Sequence, residues 1–499
     1  MSKVLYISSE AFPLIKTGGL GDVAGSLPPA LLKKSQDVRL LLPAYPEALS
    51  RLSRTRLLAE TTYYNQPVKI IEARLPGSKV SVWLVDCAAA FDRPGGPYAD
   101  EKGQPWKDNA LRFAIFCQAA TDIALNRLKL DWTPEIVHCN DWQTGLVPAL
   151  LSLHASRPAT VFTIHNLAYQ GLFERQTFTE LQLPEVLWHM DGLEFYGQMS
   201  FIKGGLAYAD KITAVSPNYA REILQPEYGY GLDGLLQHRR KDLSGILNGI
   251  DEKYWNPGTD NYLTQKYNRR TLGKKPLNKI ALQQELSLPA DTSLPMIGMV
   301  SRLVEQKGFD LILQGLEALL KKDVQLVILG SGEPQYEIPL AKLAARHPDR
   351  LKVIVGYNEP LAHRIEAASD IYLMPSTFEP CGLNQLYSLR YGTLPVVTPV
   401  GGLADTVVDA SEVNILNGTA NGFVLGGKSA AALMAAIDRA LALYQRPELW
   451  RKLQTTAMSS DFSWEASAGQ YIALYNDALH AITAHPFGDR LLGIAGNRE

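Results

Sequence analysis

Glu379 stands in a polar turn with Cys381, after the apolar run SDIYLM and before a segment of helical character that opens near Gly382 and closes by Gly392. A second apolar run, LPVV, follows. A carboxylate at a strand end can accept hydrogen bonds from sugar hydroxyls. The free N–H groups and positive dipole end of a following helix attract phosphate. In the same half of the chain Arg302 comes just after the apolar PMIGMVS, and Lys307 just before a helical stretch that starts at Gly308. Preorganised cations stabilise charge that develops on a departing phosphate. These residue types describe a pocket for a sugar carried on a nucleotide diphosphate. GSGEP at 330–334 and Gly356-Tyr357 end two further strands, where backbone contact and an aromatic face suit the nucleotide.

The first half carries a matching set. After the apolar VLYIS comes KTGGLGDV, with Lys16, Gly18, Gly19, Gly21 and Asp22 in one turn and helix start. Glycines let the backbone approach a ligand closely, and the helix beyond can present N–H groups to an anion. The spacing is not that of the dinucleotide fingerprint, and RLLLP at 39–43 lacks its acidic residue. Two later apolar runs end in polar clusters: His138, Asn140, Asp141, Trp142 and Gln143, then His165 and Asn166. Ligands of open parallel sheets bind beyond the carboxyl ends of the strands. His138 reads as a structural histidine, whereas His165 and Asn166 face a crevice. YGYGLDGLL at 228–236 reads as a mobile surface loop.

The elements that position these residues form two alternating series. Strands at 4–8, 68–75, 80–86, 135–140 and 160–164 alternate with helical stretches, among them 108–126. Asn248, Gly249, Pro257 and Gly258 break the pattern, and a second α/β series follows. The expected organisation is an N-terminal domain over 1–247, a hinge at 248–258, a C-terminal domain over 259–460, a helix over 461–484 that crosses back to the first domain, and a loosely ordered tail at 485–499. Two doubly wound, Rossmann-like domains of similar size imply a cleft between them. GFVLGGKS at 422–429 fits the pattern of a phosphate-binding P-loop, but FVLG is strand-like where a P-loop needs a loop. HExxH, GxSxG and D-x-D do not occur, which disfavours a zinc protease, a serine hydrolase and a metal-chelating transferase.

Composition narrows the partners. With 499 residues, 46% hydrophobic and 20% charged, the chain is globular, and its net charge of −2 suggests neither a nucleic-acid nor a membrane partner. Cys87, Cys117, Cys139 and Cys381 form no CxxC pair or zinc spacing, which suits a reducing compartment. The first residues are too weakly apolar for a signal peptide, with Glu10 breaking the run, and no stretch has the length of a membrane span. A cytoplasmic protein is expected.

KTGGLGDV (16–23), HCNDWQTGL (138–146), TIHNLAYQG (163–171), YGYGLDGLL (228–236), SRLVEQKGFDL (301–311) and FEPCGLNQLYSLRYGTLPVV (378–397), in that order, resemble the bacterial glycogen synthase and plant starch synthase family. The resemblance runs through residues 3–480 and implies the GT-B fold, two doubly wound domains facing a central cleft. It implies transfer of glucose from ADP-glucose to the 4-hydroxyl at the non-reducing end of an α-1,4-glucan such as glycogen, with retention, without a metal and without pyridoxal phosphate. Lys16, Arg302 and Lys307 would bind the diphosphate, helped by N–H groups at Gly18, Gly19 and near Gly382-Leu383. Glu379 would contact the transferred glucose, with the His165 carbonyl near the anomeric carbon. Asp141 and Asn248 would hold glucose hydroxyls, Tyr357 would pack on the adenine, and Asp22, Trp142 and Asn166 would lie toward the acceptor. Cys381 would be a packing residue. Tyr387 stands where related transferases carry a second Glu, and Val400 where many carry Thr. A related transferase using UDP-glucose or a smaller acceptor, and a non-catalytic glucan-binding homologue, are the alternatives.

Overall fold

The structure is a computed structural model that describes residues 1–484. The tail at 485–499, expected to be loosely ordered, lies outside the described residues. The chain divides into two compact units. Unit 1 takes Met1–Gly249 and the C-terminal segment from Trp464, and unit 2 takes Ile250–Ser463.

Unit 1 is built on strands β1 (Lys3–Ile7), β2 (Asp37–Pro43), β3 (Arg56–Tyr63), β4 (Gln66–Arg74), β5 (Ser81–Asp86), β6 (Ile136–Asn140) and β7 (Ala159–Ile164). A small sheet of β8 (Leu172–Glu174), β9 (Glu194–Phe195) and β10 (Gln198–Ser200) follows, and then β11 (Lys211–Ala214) and β12 (Leu243–Gly245). The main sheet runs β12-β11-β7-β6-β1-β2-β5-β4-β3. Val4 to Ile7 are fully buried, as expected of an apolar run at the centre of a sheet covered on both faces. In this sheet β4 alone is reversed, antiparallel to both its neighbours β3 and β5, and the other pairings are parallel. Tyr64 and Asn65, both at positive φ (49° and 59°), make the two-residue turn between them, and so short a connection can join only antiparallel strands. From β1 the chain lays down β2, moves to the edge strand β3, works back through β4 to β5, and then crosses to β6 on the other side of β1. The reversal lies between β1 and β6, where open sheets place their ligands.

Unit 2 holds β13 (Met296–Val300), β14 (Gln325–Gly330), β15 (Leu351–Val355), β16 (Ile371–Met374), β17 (Leu394–Val397) and β18 (Phe423–Val424) in the order β15-β14-β13-β16-β17-β18, all parallel. Alternate residues feed two cores: Ile297, Leu326 and Ile328 join one, and Met296, Val327 and Leu329 the other. Helices therefore cover both faces. Here the reversal lies between β13 and β16. Of the strand-like FVLG, only Phe423 and Val424 join the sheet, and the Ser429 hydroxyl accepts from Ala432 N–H to cap the helix Ala430–Tyr444.

The helix Trp464–Ala484 buries Trp464, Ala468, Tyr471, Tyr475 and Ala478, one stripe at helical spacing, within unit 1. Three expectations are corrected. YGYGLDGLL is two short helices, Pro226–Gly229 and Asp233–His238, rather than a loop; Leu232 and Leu236, four residues apart, are buried and anchor it. No helix follows β7 directly, because Gly171 (φ 61°) turns the chain beside Trp142 into β8. The helix expected from Gly382 begins at Asn384 and ends at Arg390: Gly382 sits at φ 72°, and Gln385 Nε2 ties back to the Cys381 and Gly382 carbonyls.

Candidate functional site

Unit 1 gathers its polar residues at the ends of β1, β6 and β7, three neighbouring strands. Glu10, 2% exposed, follows β1. Its Oε2 accepts Thr17 N–H (2.5 Å) and Gly18 N–H (3.3 Å), and its Oε1 accepts the hydroxyls of Thr17 (2.6 Å) and Tyr98 (2.5 Å). One carboxylate thus shapes the glycine loop. Lys16 Nζ is 2.8 Å from Asp22 Oδ1, so these two candidates form an ion pair. Gly19 opens the helix Gly19–Lys33, in which Gly25 passes the Phe12 carbonyl too closely for any side chain, a Cβ lying 2.2 Å from it.

Asp141 follows β6 directly at φ 56°, ψ −177°, a region that costs about 1–3 kcal/mol for a residue with a side chain and marks sites held for function. Its Oδ1 accepts His165 N–H (2.7 Å) and Asn166 N–H (3.3 Å), joining the ends of β6 and β7. Burial pushes the Asp141 carboxyl up to about 7 although both N–H groups pull it down. His165 Nε2 donates to Asn140 Oδ1 (2.9 Å), while the Asn140 amide donates to the Ile7 carbonyl. Burial lowers His165 to about 3, so the ring is neutral. His138 is fully buried, with Nδ1 2.7 Å from the Tyr475 hydroxyl and Nε2 2.7 Å from the Thr163 hydroxyl, as a structural histidine should be. Trp142 packs among Phe113, Phe173 and Phe201 at 5.0–6.2 Å and is 9% exposed, so it supports the site from below. Asn166 caps its own turn through Ala168 N–H. Asn248 is buried, and its Oδ1 has no hydrogen-bond partner within the protein.

In unit 2 the structure brings together two residues that lie 72 positions apart. Lys307 Nζ stands 2.5 Å from Glu379 Oε2, which also accepts the Ser376 hydroxyl at 3.0 Å. Both side chains are largely buried, at 16% and 9% exposure. Their loops are locked: Gln306 Nε2 donates to the Phe378 carbonyl (3.0 Å), and Thr377 N–H to the Gln306 carbonyl (2.9 Å). Gly402 N–H donates to the carbonyls of Glu379 and Pro380. Gly401, at φ 44°, would place a Cβ 1.8 Å from the Glu379 carbonyl oxygen. The turn therefore depends on the glycine pair that follows Val400. Arg302 and Tyr357 are exposed, Tyr357 bonding through its hydroxyl to Glu359, and neither is drawn into the Lys307–Glu379 pair. Cys381 is buried, in keeping with a packing role, and Leu383 precedes the first helical residue. Asn384 Nδ2 reaches the Val300 carbonyl and the Tyr372 hydroxyl, tying this helix to β13 and β16.

Sequence reasoning passed over Glu10, Tyr98, Ser376 and the Gly401-Gly402 pair as site builders. The one available signal was an acidic residue at the end of an apolar strand. Among the described residues no group of three or more His, Cys, Asp and Glu side chains is placed to hold a metal ion. Nor, among the described residues, is any helix long and apolar enough to cross a membrane.

Residues 3–238 match the family described as starch synthase catalytic domain, and residues 283–456 that described as glycosyl transferases group 1. Over 477 residues the chain is 58% identical to a glycogen synthase of Cellvibrio japonicus, covering 95% of this chain and 99% of that one. The chain belongs to the glycogen synthase family. A glycogen synthase 1 of Methylococcus capsulatus is 54% identical over 97% of this chain and 98% of its own length. The catalytic domain of starch synthase IV from Arabidopsis thaliana, solved bound to ADP and acarbose, matches with a TM-score of 0.88 and 33% identity over 96% of this chain and 99% of that one. A sucrose-phosphate synthase from Thermosynechococcus elongatus (TM-score 0.60, 17% identity) shares the fold alone. This member of the glycogen synthase family is accordingly a glycosyltransferase with the GT-B fold of two α/β domains.

Proposed function

We propose that the enzyme transfers glucose from ADP-glucose to the 4-hydroxyl at the non-reducing end of an α-1,4-glucan, with retention, and so elongates glycogen. The observation that carries this reading is the buried Lys307–Glu379 pair at the strand reversal of unit 2. One group is a cation for the phosphate that leaves, and the other a carboxylate for the sugar that moves. As the bond from the anomeric carbon to the phosphate oxygen breaks, negative charge grows on the diphosphate and positive charge on the sugar. Lys307 and Arg302 stabilise the first. Glu379, held by Ser376, orients the glucose and faces the second. In unit 2 Gly382 and Leu383 offer N–H groups to the diphosphate, and in unit 1 the loop shaped by Glu10 carries Lys16, Gly18 and Gly19 as diphosphate-binding residues. Asp141, Asn248 and the His165 carbonyl position the glucose, Tyr357 the adenine, and Asp22 and Asn166 the acceptor. The relatives' names and the ADP and acarbose in the starch synthase IV structure support both substrate classes.

The reading includes a cytoplasmic location and transfer without a metal or pyridoxal phosphate. Its test is incorporation of radiolabelled glucose into glycogen from ADP-glucose and from UDP-glucose, each in EDTA. Transfer from ADP-glucose is expected at full rate. Transfer from UDP-glucose alone would refute the donor, loss in EDTA would refute metal independence, and no transfer from either would refute the acceptor or the catalysis.

A further inference from the structure

Arg112, in the helix Asn109–Ala124, is 1% exposed and faces no carboxylate of its own. Its Nε donates to the Ala90 carbonyl (2.6 Å), and its Nη1 to the Pro97 carbonyl (2.9 Å) and Asn109 Oδ1 (2.7 Å). All three acceptors are neutral, and Nη2 has no partner. The rings of Phe91 and Phe113, each 5.5 Å away, offset the charge only in part. The nearby acids are already engaged. Asp108 forms a two-point pair with Arg93 (2.9 Å each), and Glu47 pairs with Arg51 (2.7 Å). Tyr45, 4% exposed and edge-on to Phe91, also has a hydroxyl without a partner.

Arg112 and Tyr45 line one cavity of about 180 Å³, bounded also by Ile15, Arg93 and Gly95. None of these is among the residues assigned to the donor or acceptor. The volume equals several water molecules. Both donor atoms are shielded from solvent, and neutral water would not balance the charge. Among the lining residues Arg93 and Arg112 outnumber Glu47, so the lining itself carries a net positive charge of one, while the Glu10 carboxylate beyond Tyr45 is held by Thr17, Gly18 and Tyr98. A buried charge without a counter-ion is strongly unfavourable, and charge-assisted bonds from Arg to an oxyanion are among the strongest available.

We propose that this cavity is a binding site for a small phosphate-type oxyanion, free or as the terminal group of a metabolite, held by Arg112 Nη2 and the Tyr45 hydroxyl. The test uses the full chain in a Lys16→Ala/Lys307→Ala background, which removes two cations given to the donor. Inorganic phosphate is titrated calorimetrically at constant ionic strength, with chloride as the balancing ion. One phosphate per chain is expected. Adding Tyr45→Phe, which removes only a hydroxyl, should weaken it about tenfold while the circular dichroism spectrum is unchanged. Binding of glycerol 2-phosphate as well would assign a phosphate group on a metabolite, and its exclusion would assign the free ion. Crystals soaked in selenate should show one anomalous peak at Arg112 Nη2 and Tyr45 Oη. No phosphate binding in this background, binding indifferent to Tyr45→Phe, or only water at that position would overturn the proposal.

Discussion

Asp141→Asn should stabilise the protein and impair it as an enzyme. The Asp141 carboxyl is buried and pushed from 3.8 to about 7, a displacement worth about 4 kcal/mol. The folded pKa is the raised one, so the sign is as follows. Below about pH 3.8 both states hold the proton and nothing is lost. Between there and about pH 7 only the unfolded chain releases it, and stability falls by about 1.4 kcal/mol per pH unit. Above pH 7 the full penalty persists. Asparagine keeps an Oδ1 for the His165 and Asn166 N–H groups but never ionises. Its amide must find its own partner, so the recoverable part is about 1–4 kcal/mol at pH 8 and close to zero at pH 4. Denaturant unfolding of the full chain at the two pH values measures the difference, and the glucose-transfer assay measures the cost. Equal effects at both pH values, or a variant less stable than wild type at pH 8, would refute the account of a carboxylate held at a cost for function.

Four further outcomes are expected. Glu379→Ala should lower kcat by about 10³ or more with the fold retained, and activity within about threefold of wild type would remove its role. Lys307→Ala should cost about 3 kcal/mol in kcat/KM for the nucleotide sugar, and an unchanged value would take it out of the phosphate site. Gly401→Ala should displace the Glu379 turn, since a Cβ 1.8 Å from its carbonyl oxygen cannot be accommodated; kcat should fall together with about 1–3 kcal/mol of stability, and a neutral effect on both would contradict the packing. His138→Ala should cost about 2–4 kcal/mol in unfolding experiments by stranding the Thr163 and Tyr475 hydroxyls, while kcat of the folded enzyme stays within about threefold.

What was legible in the sequence follows from range. Val4–Ile7 and Ile371–Met374 reveal themselves because burial on both faces demands an unbroken apolar run. Glycine spacing reveals the Lys16 loop because backbone conformation is local. The β3 edge was invisible, since RLLAETTY is half exposed and its turn, Tyr64-Asn65, lacks the usual glycine. Glu10 reads as an interruption of an apolar run, yet it is the hub of a loop. Its partners lie between 7 and 88 residues away, and only the folded chain brings Tyr98 to it. Lys307 and Glu379 were legible as strand-end members of one pocket but not as an ion pair across 72 positions, and no spacing rule places Gly401 against the Glu379 carbonyl.

The chain leaves unit 1 at Gly249 and re-enters it at Trp464. Ile250 and Ser463, the first and last residues of unit 2, form a parallel bridge, and Ile250 N–H donates to the Phe462 carbonyl at 2.9 Å. Unit 2 is thus a cassette with its two ends stapled together, inserted near the end of another fold. On the ribosome, where folding proceeds from the N-terminus, unit 2 has its whole sequence available before unit 1 does. The packing of Tyr471 (tilted) and Tyr475 (edge-on) against the His138 ring exists only once the last helix has been made. A premature stop after residue 463 would therefore leave the C-terminal unit whole and the N-terminal unit unfinished.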